Sequence, residues 1–192
     1  LVNLVTIRPE EEAKLDVMLN QTSALGTTGN LFYAQKYGKV GLSVYGSANN
    51  QIAFDPDEDG FSNMPKAQTF SLNPKFYYYF NPNTELSLGL NTTIDNRTGG
   101  DMEVIKGNTS TEHIFSEENK SERYATQLSF RNTTDDRTFS FKNSVSYFDR
   151  KLSIPDYRFS GNQLSSFTEA IYNLHKNDNT EWQLGLNHYL EQ

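Results

Sequence analysis

No cysteine occurs in the 192 residues, which excludes disulfides and any zinc site built on thiolates. Histidine is nearly absent: His113, His175 and His188 are scattered and make a poor start for a metal or acid–base centre. No stretch approaches the roughly 18 continuous apolar residues of a membrane-spanning helix, so such a helix is excluded. Positive charge is short, with 17 Lys and Arg against 24 Asp and Glu, and the net charge of -7 argues against a nucleic-acid partner. Apolar residues reach only 35%, yet aromatics make up 13%, and a disordered chain would be poor in them. The length suits one ordered domain or at most two.

The sequence opens on Leu1 with no basic region leading into an apolar run, so no signal peptide is expected. Its last residues, Trp182 to Gln192, stop inside what reads as a strand, the pattern of a piece of something longer.

What is present is alternation. From Thr69 to Phe80 one face carries Phe70, Leu72, Phe76, Tyr78 and Phe80, and the other carries Thr69, Ser71, Asn73, Lys75, Tyr77 and Tyr79. Leu86, Leu88, Leu90 and Ile94 alternate with Glu85, Ser87, Gly89 and Asp95. The same period sets Phe139, Phe141, Val145 and Tyr147 against Ser140, Lys142, Ser144 and Ser146. No comparable run supports an amphipathic helix, so the fold class is all-β, an antiparallel meander. Nine strands are predicted, near 14–24, 30–36, 39–49, 68–80, 85–96, 121–131, 137–149, 162–174 and 181–190.

Several of these runs last about 10–13 residues, whereas strands of soluble domains last about 5–6 and tilted transmembrane strands need about 9–11. Short turns at Tyr37–Lys39, Asn81–Thr84, Thr133–Asp136 and Lys176–Asn179 alternate with longer loops over Asn50–Lys66, Arg97–Asn119 and Arg150–Ser160. That is the plan of an outer-membrane barrel, with short turns on the periplasmic side and long loops outside. Tyr77 to Phe80, Trp182, Tyr37 and Phe139 adjoin the short turns, as an interfacial aromatic girdle would. Leu72, Phe76 and Tyr78 are expected to share one lipid- or detergent-facing side with Leu86, Leu88 and Leu90. A propeller is excluded because each repeat span holds two long strands rather than four. About nine strands do not make the even number of a bacterial barrel, so the rest of the barrel or another chain is expected to complete it.

Leu1–Pro9, Leu-Val-Asn-Leu-Val-Thr-Ile-Arg-Pro, resembles the last plug strand of TonB-dependent outer-membrane receptors, which leads into the first barrel strand. Phe54–Lys66 and Phe115–Tyr124 are similar to an early extracellular loop and a strand start in such receptors from Bacteroidetes-type bacteria. The resemblance implies that 1–13 is the end of the plug with its linker and 14–192 the N-terminal part of the barrel. It further implies an outer-membrane location and uptake of a siderophore-iron complex, haem, cobalamin or a glycan. Partners would be the remaining plug and barrel, the TonB complex acting through a plug segment absent here, lipid, and a small-molecule or metal-chelate ligand.

Asp55-Pro56-Asp57-Glu58-Asp59-Gly60 matches the first half of a calcium loop, because carboxylates at alternate positions can converge on one hard cation. Asp55, Asp57 and Asp59 are therefore the candidate calcium ligands. Lys66 stands where such a loop has its bidentate Glu, so Ser62, Asn63 or a neighbouring loop would complete the shell; the alternative is a solvated acidic tip. Sequons at Asn91, Asn96, Asn108, Asn119 and Asn132 read as an Asn/Thr-rich lumen and loops. Arg123, Gln127, Arg131 and Lys142 are expected to face a solvated lumen, where they could touch ligand or plug. Glu117-Glu118 reads as a solvated pair at a strand entrance, and no residue set points to an enzyme. The three long loops carry formal charges of -3, -3 and +2, which steer neither ion sign. A soluble β-sandwich recognising carbohydrate or protein through an aromatic platform at Tyr77–Tyr79 stands as the alternative, and an adhesive barrel fragment as a third reading.

Overall fold

The computed structural model describes residues 7–177 and 180–192. The chain forms nine strands: β1 (Lys14–Gln21), β2 (Thr27–Tyr37), β3 (Val40–Gln51), β4 (Lys66–Asn81), β5 (Thr84–Gly100), β6 (Ser116–Thr133), β7 (Arg137–Ile154), β8 (Tyr157–Asn177) and β9 (Thr180–Glu191). They lie side by side in chain order as one antiparallel meander. The sheet is open, with β1 and β9 at its edges, and so matches a partial barrel. All nine predicted strands are present. The plug-strand reading of Leu1–Pro9 falls mostly outside the described residues.

The strands are longer than the apolar alternation suggests: β4 to β8 run from 16 to 21 residues. The reason is visible on β7. Phe139, Phe141, Val145 and Tyr147 share a face, and the same face continues through Asp149, Lys151 and Ser153. The ladder persists after the apolar period stops, because a strand needs backbone partners, not apolar side chains.

This corrects the expected third loop. Residues 150–160 are not a loop but the closed end of a hairpin, with Ile154 paired to Tyr157 and only Pro155 and Asp156 between. Proline presets φ at the first central position and Asp156 takes φ 62° at the second, the combination of a type II turn. At the other end of the sheet Gly38, at φ 58°, allows the two-residue turn between β2 and β3. The connection between β5 and β6 contains a helix that the sequence reading did not contain, α1 (Met102–Lys106). Asp101 caps its first turn and Gly107, at φ 95°, closes its last.

The two faces differ in chemistry. One carries Leu31, Val44, Phe76, Leu88, Leu128 and Leu186 and is largely apolar, with Asn143, Thr168 and His188 forming a polar row on β7 to β9 at the level of Leu128. The other carries Ser43, Lys75, Ser87, Gln127 and Lys142, and is concave, since a cavity of about 660 Å³ is lined by residues from β2 to β7 on that side. The apolar face is exposed. The buried residues are few, and Ala34, Ser43, Tyr77 and Ser87 among them lie on the concave, polar side. Tyr77 is 4% exposed and stacks with Tyr79 inside, while Tyr78 and Phe80 point out. Half of the aromatic quartet expected in the girdle therefore lines the interior instead.

The segment before β1 crosses this interior. Arg8 pairs with Glu85 at 2.8 Å and the buried Pro9 seats on Gly41, where a Cβ would lie 2.7 Å from the proline ring. Glu10 then accepts a hydrogen bond from the Lys36 N–H on β2.

Candidate functional site

The longer connections, 22–26, 52–65 and 101–115, gather at one end of the sheet with the Pro155–Asp156 turn. The acidic candidate loop is closed at its base by mutual hydrogen bonds between Phe54 and Met64. Glu58 at φ 57° and Gly60 at φ 89° then turn the chain so that Asp55, Asp57 and Asp59 place carboxylate oxygens within 4.8 Å of one another. Asp55 accepts from the Gly60 N–H through Oδ2, and Asp59 accepts from the Phe61 N–H. The second Asp55 oxygen is shielded from water and has no hydrogen-bond partner. Three carboxylates so placed repel one another, and a hard cation is the chemistry that would satisfy them.

Ser62, expected to help complete that shell, is engaged elsewhere. Its hydroxyl accepts from the Gly100 N–H at 2.9 Å and its own N–H donates to the Gly100 carbonyl. It staples the acidic loop to the next one. The Met102 N–H donates to the Gly60 carbonyl, and Phe61 packs on Phe115 with ring centroids 6.3 Å apart.

Asp101 is the anchor of that junction and, at 6% exposure, the one buried charged residue among the described residues. Its Oδ1 accepts from the Glu103 N–H at 2.8 Å and its Oδ2 pairs with His113 Nδ1 at 2.7 Å. The bond to His113 holds the Asp101 carboxyl below the usual carboxylate range, and the same bond holds the His113 ring above the usual histidine value. In the sequence His113 is one of three scattered histidines. The signal for its partner was there: Asp at the cap, Glu103 in the first turn, Lys106 in the last and Gly107 after it spell a short helix.

On the concave wall, register places Arg123, Gln127, Arg131 and Lys142 on one face, as expected. Lys142 meets Glu169 at 3.2 Å, while the Arg123 guanidinium lies over the Phe148 ring, 4.9 Å from its centroid. Lys75 and Lys36 cover Tyr77 and Tyr79 in the same manner at 5.2 and 4.9 Å. The aromatic platform imagined for a carbohydrate module is thus partly buried. Glu117 and Glu118, as neighbours on a strand, point to opposite faces and form no pair. Asn91 and Asn119 lie on the concave side, whereas Asn132 faces out and donates to Thr84.

No family model, curated protein or solved structure matches the chain.

Proposed function

We propose that the chain forms part of the wall of an outer-membrane β-barrel receptor, a TonB-dependent transporter that takes up a scarce ligand through its loop-bearing end. The observation that carries this reading is the outward apolar belt. On β4 it extends from Phe70 to Phe80, ten residue steps or about 33 Å of strand at about 3.3 Å each. Strands tilted about 35–45° convert that to a belt about 23–27 Å tall, the height of the lipid-facing band in such barrels. Tyr37, Phe80, Phe139 and Trp182 edge it beside the short turns, and Phe70, Tyr124 and Tyr147 edge it toward the loops. Among the described residues no helix is long and apolar enough to cross a membrane, which says nothing of crossing by strands.

The resemblance of the plug-like N-terminal segment supports the TonB-dependent class. So does the course of residues 8–10 along the concave side, where a plug would lie. Lipid contacts the outward face, and the ligand meets the loops and the concave wall. Density-gradient flotation with phospholipid vesicles tests the reading: the protein is expected to rise with the lipid. A soluble sandwich module, which would need a second sheet over the apolar face, would stay at the bottom. Uptake that ceases when the inner membrane is de-energised would then test the TonB-dependent step.

A further inference from the structure

Through the belt the concave face is mainly polar, with Phe32, Tyr77 and Phe167 among its exceptions, but beyond it the hairpin of β7 and β8 exchanges its faces. Phe148, Leu152 and Ile154 on β7, with Phe159 and Tyr157 on β8, now point to the concave side, while Asp149, Lys151 and Arg158 point out. Phe159 is 47% exposed and Tyr157 53%. Apolar rings facing a watery mouth are unfavourable unless something covers them.

Two guanidinium groups stand in the same patch. Arg123 lies directly across from Phe148 and over its ring, and Arg150, two residues along β7, lies across from Gly161. Arg123 and Arg150 are diagonal neighbours on adjacent strands, a spacing long side chains bridge. Arg150 uses its Nε on Asn119 at 3.2 Å, leaving the outer fork of the guanidinium. Neither arginine meets a carboxylate at ion-pair distance among the described residues. Asp95 is taken by Arg97 and by the Thr69 hydroxyl, and Glu117 lies further out, across from Gly99. Gly161 keeps the floor open, since the Phe159 ring already lies 3.3 Å from where its Cβ would be.

We propose that this patch binds a planar aromatic carboxylate, its ring against Phe159, which leans back over Gly161 opposite Arg150, and its carboxylate in the forks of Arg150 and Arg123. Guanidinium forks match carboxylate geometry and themselves stack on aromatic faces. A small inorganic anion would leave the rings uncovered, and a hydrocarbon would leave both charges unmet. The inference deepens the receptor reading, on which it rests for placing this wall at the mouth of a barrel.

The test is calorimetric titration of the full protein, in non-ionic detergent, with 1-naphthoate, its neutral amide and acetate. Naphthoate is expected to bind saturably, with amide and acetate each about tenfold weaker or worse. Arg123→Gln and Arg150→Gln should each weaken naphthoate by about tenfold, whereas Arg131→Gln, on the same face near the short turns, should not. Phe159→Leu, which keeps the bulk and removes the stack, should weaken it several-fold. If an arginine variant does not fold, salt decides in the unaltered protein: raising it from about 50 to about 500 mM should weaken naphthoate and spare the amide. Equal binding of naphthoate and amide, or equal loss in Arg123→Gln and Arg131→Gln, overturns the proposal. Binding does not require vesicles: flotation without binding removes this site alone, and binding without flotation removes the receptor reading alone.

Discussion

Leu88→Arg measures whether the apolar face meets lipid. Leu88 pairs with Phe76 on β4 and Leu128 on β6. Phe76 lies six residues from Phe70 and four from Phe80, or about 20 and about 13 Å along the strand, so Leu88 sits in the middle of the belt. Its side chain is 44% exposed, so arginine fits without a clash and any cost is one of solvation. At a bilayer midplane that cost is about 2–4 kcal/mol. It corresponds to about 30- to 1,000-fold in the folding equilibrium. The control is Gln127→Arg, an exposed position across from Gly89 on the concave face, expected within about 0.5 kcal/mol of the parent. Ser87 does not serve as the control: at 5% exposure it would fail by overpacking, which costs about 1–3 kcal/mol in any solvent. The assay is denaturant titration in phosphatidylcholine vesicles, followed by emission of Trp182, the single tryptophan. Equal midpoints for the two arginine variants, or a larger loss for Gln127→Arg, would refute the assignment of inside and outside.

Three further outcomes are expected. The Asp101–His113 bond raises the histidine pKa, so its stabilisation is complete below the ordinary histidine value and fades as pH rises through the raised one; the lowered Asp101 pKa removes its share only in acid. Exchange of the Glu103 amide, corrected for intrinsic rate, should therefore be slower near about pH 5.5 than near about pH 9, and Asp101→Asn should flatten the difference. At the acidic loop, millimolar calcium is expected to slow protease nicking between residues 55 and 60, and Asp57→Ala to abolish the effect; equal nicking throughout leaves a solvated tip. Gly41→Val should push Pro9 off β3 and lower stability by about 1–3 kcal/mol in the same titration, with Gly46→Val, which has room, the milder change.

Strand number, order and the chemistry of the two faces could be read from alternation alone, because Leu86, Leu88 and Leu90 repeat the period the sheet imposes. Strand ends could not, since β6 and β7 run on where Glu122, Lys120, Asp149 and Lys151 replace the apolar outward residues. Residues 150–160 read as a loop for that reason: three basic residues and a proline look like a loop but occupy a ladder whose hydrogen bonds are backbone. The acidic cluster was legible as three carboxylates at alternate positions. The role of Ser62 was not, because its partner Gly100 is 38 residues away. Asp101 and His113 were likewise separated by a helix too short to show a period. Tyr77 and Tyr78 differ only in which side of the pleat they take, and the girdle reading overlooked that parity.

The most direct measurement of the central claim uses Trp182, which lies on the outward face near the start of β9 and is 60% exposed. With the protein reconstituted in vesicles, its emission should be quenched strongly by lipids brominated on their acyl chains and weakly by aqueous acrylamide. Strong quenching by acrylamide with none from the brominated lipid would place this face in water and contradict the membrane reading.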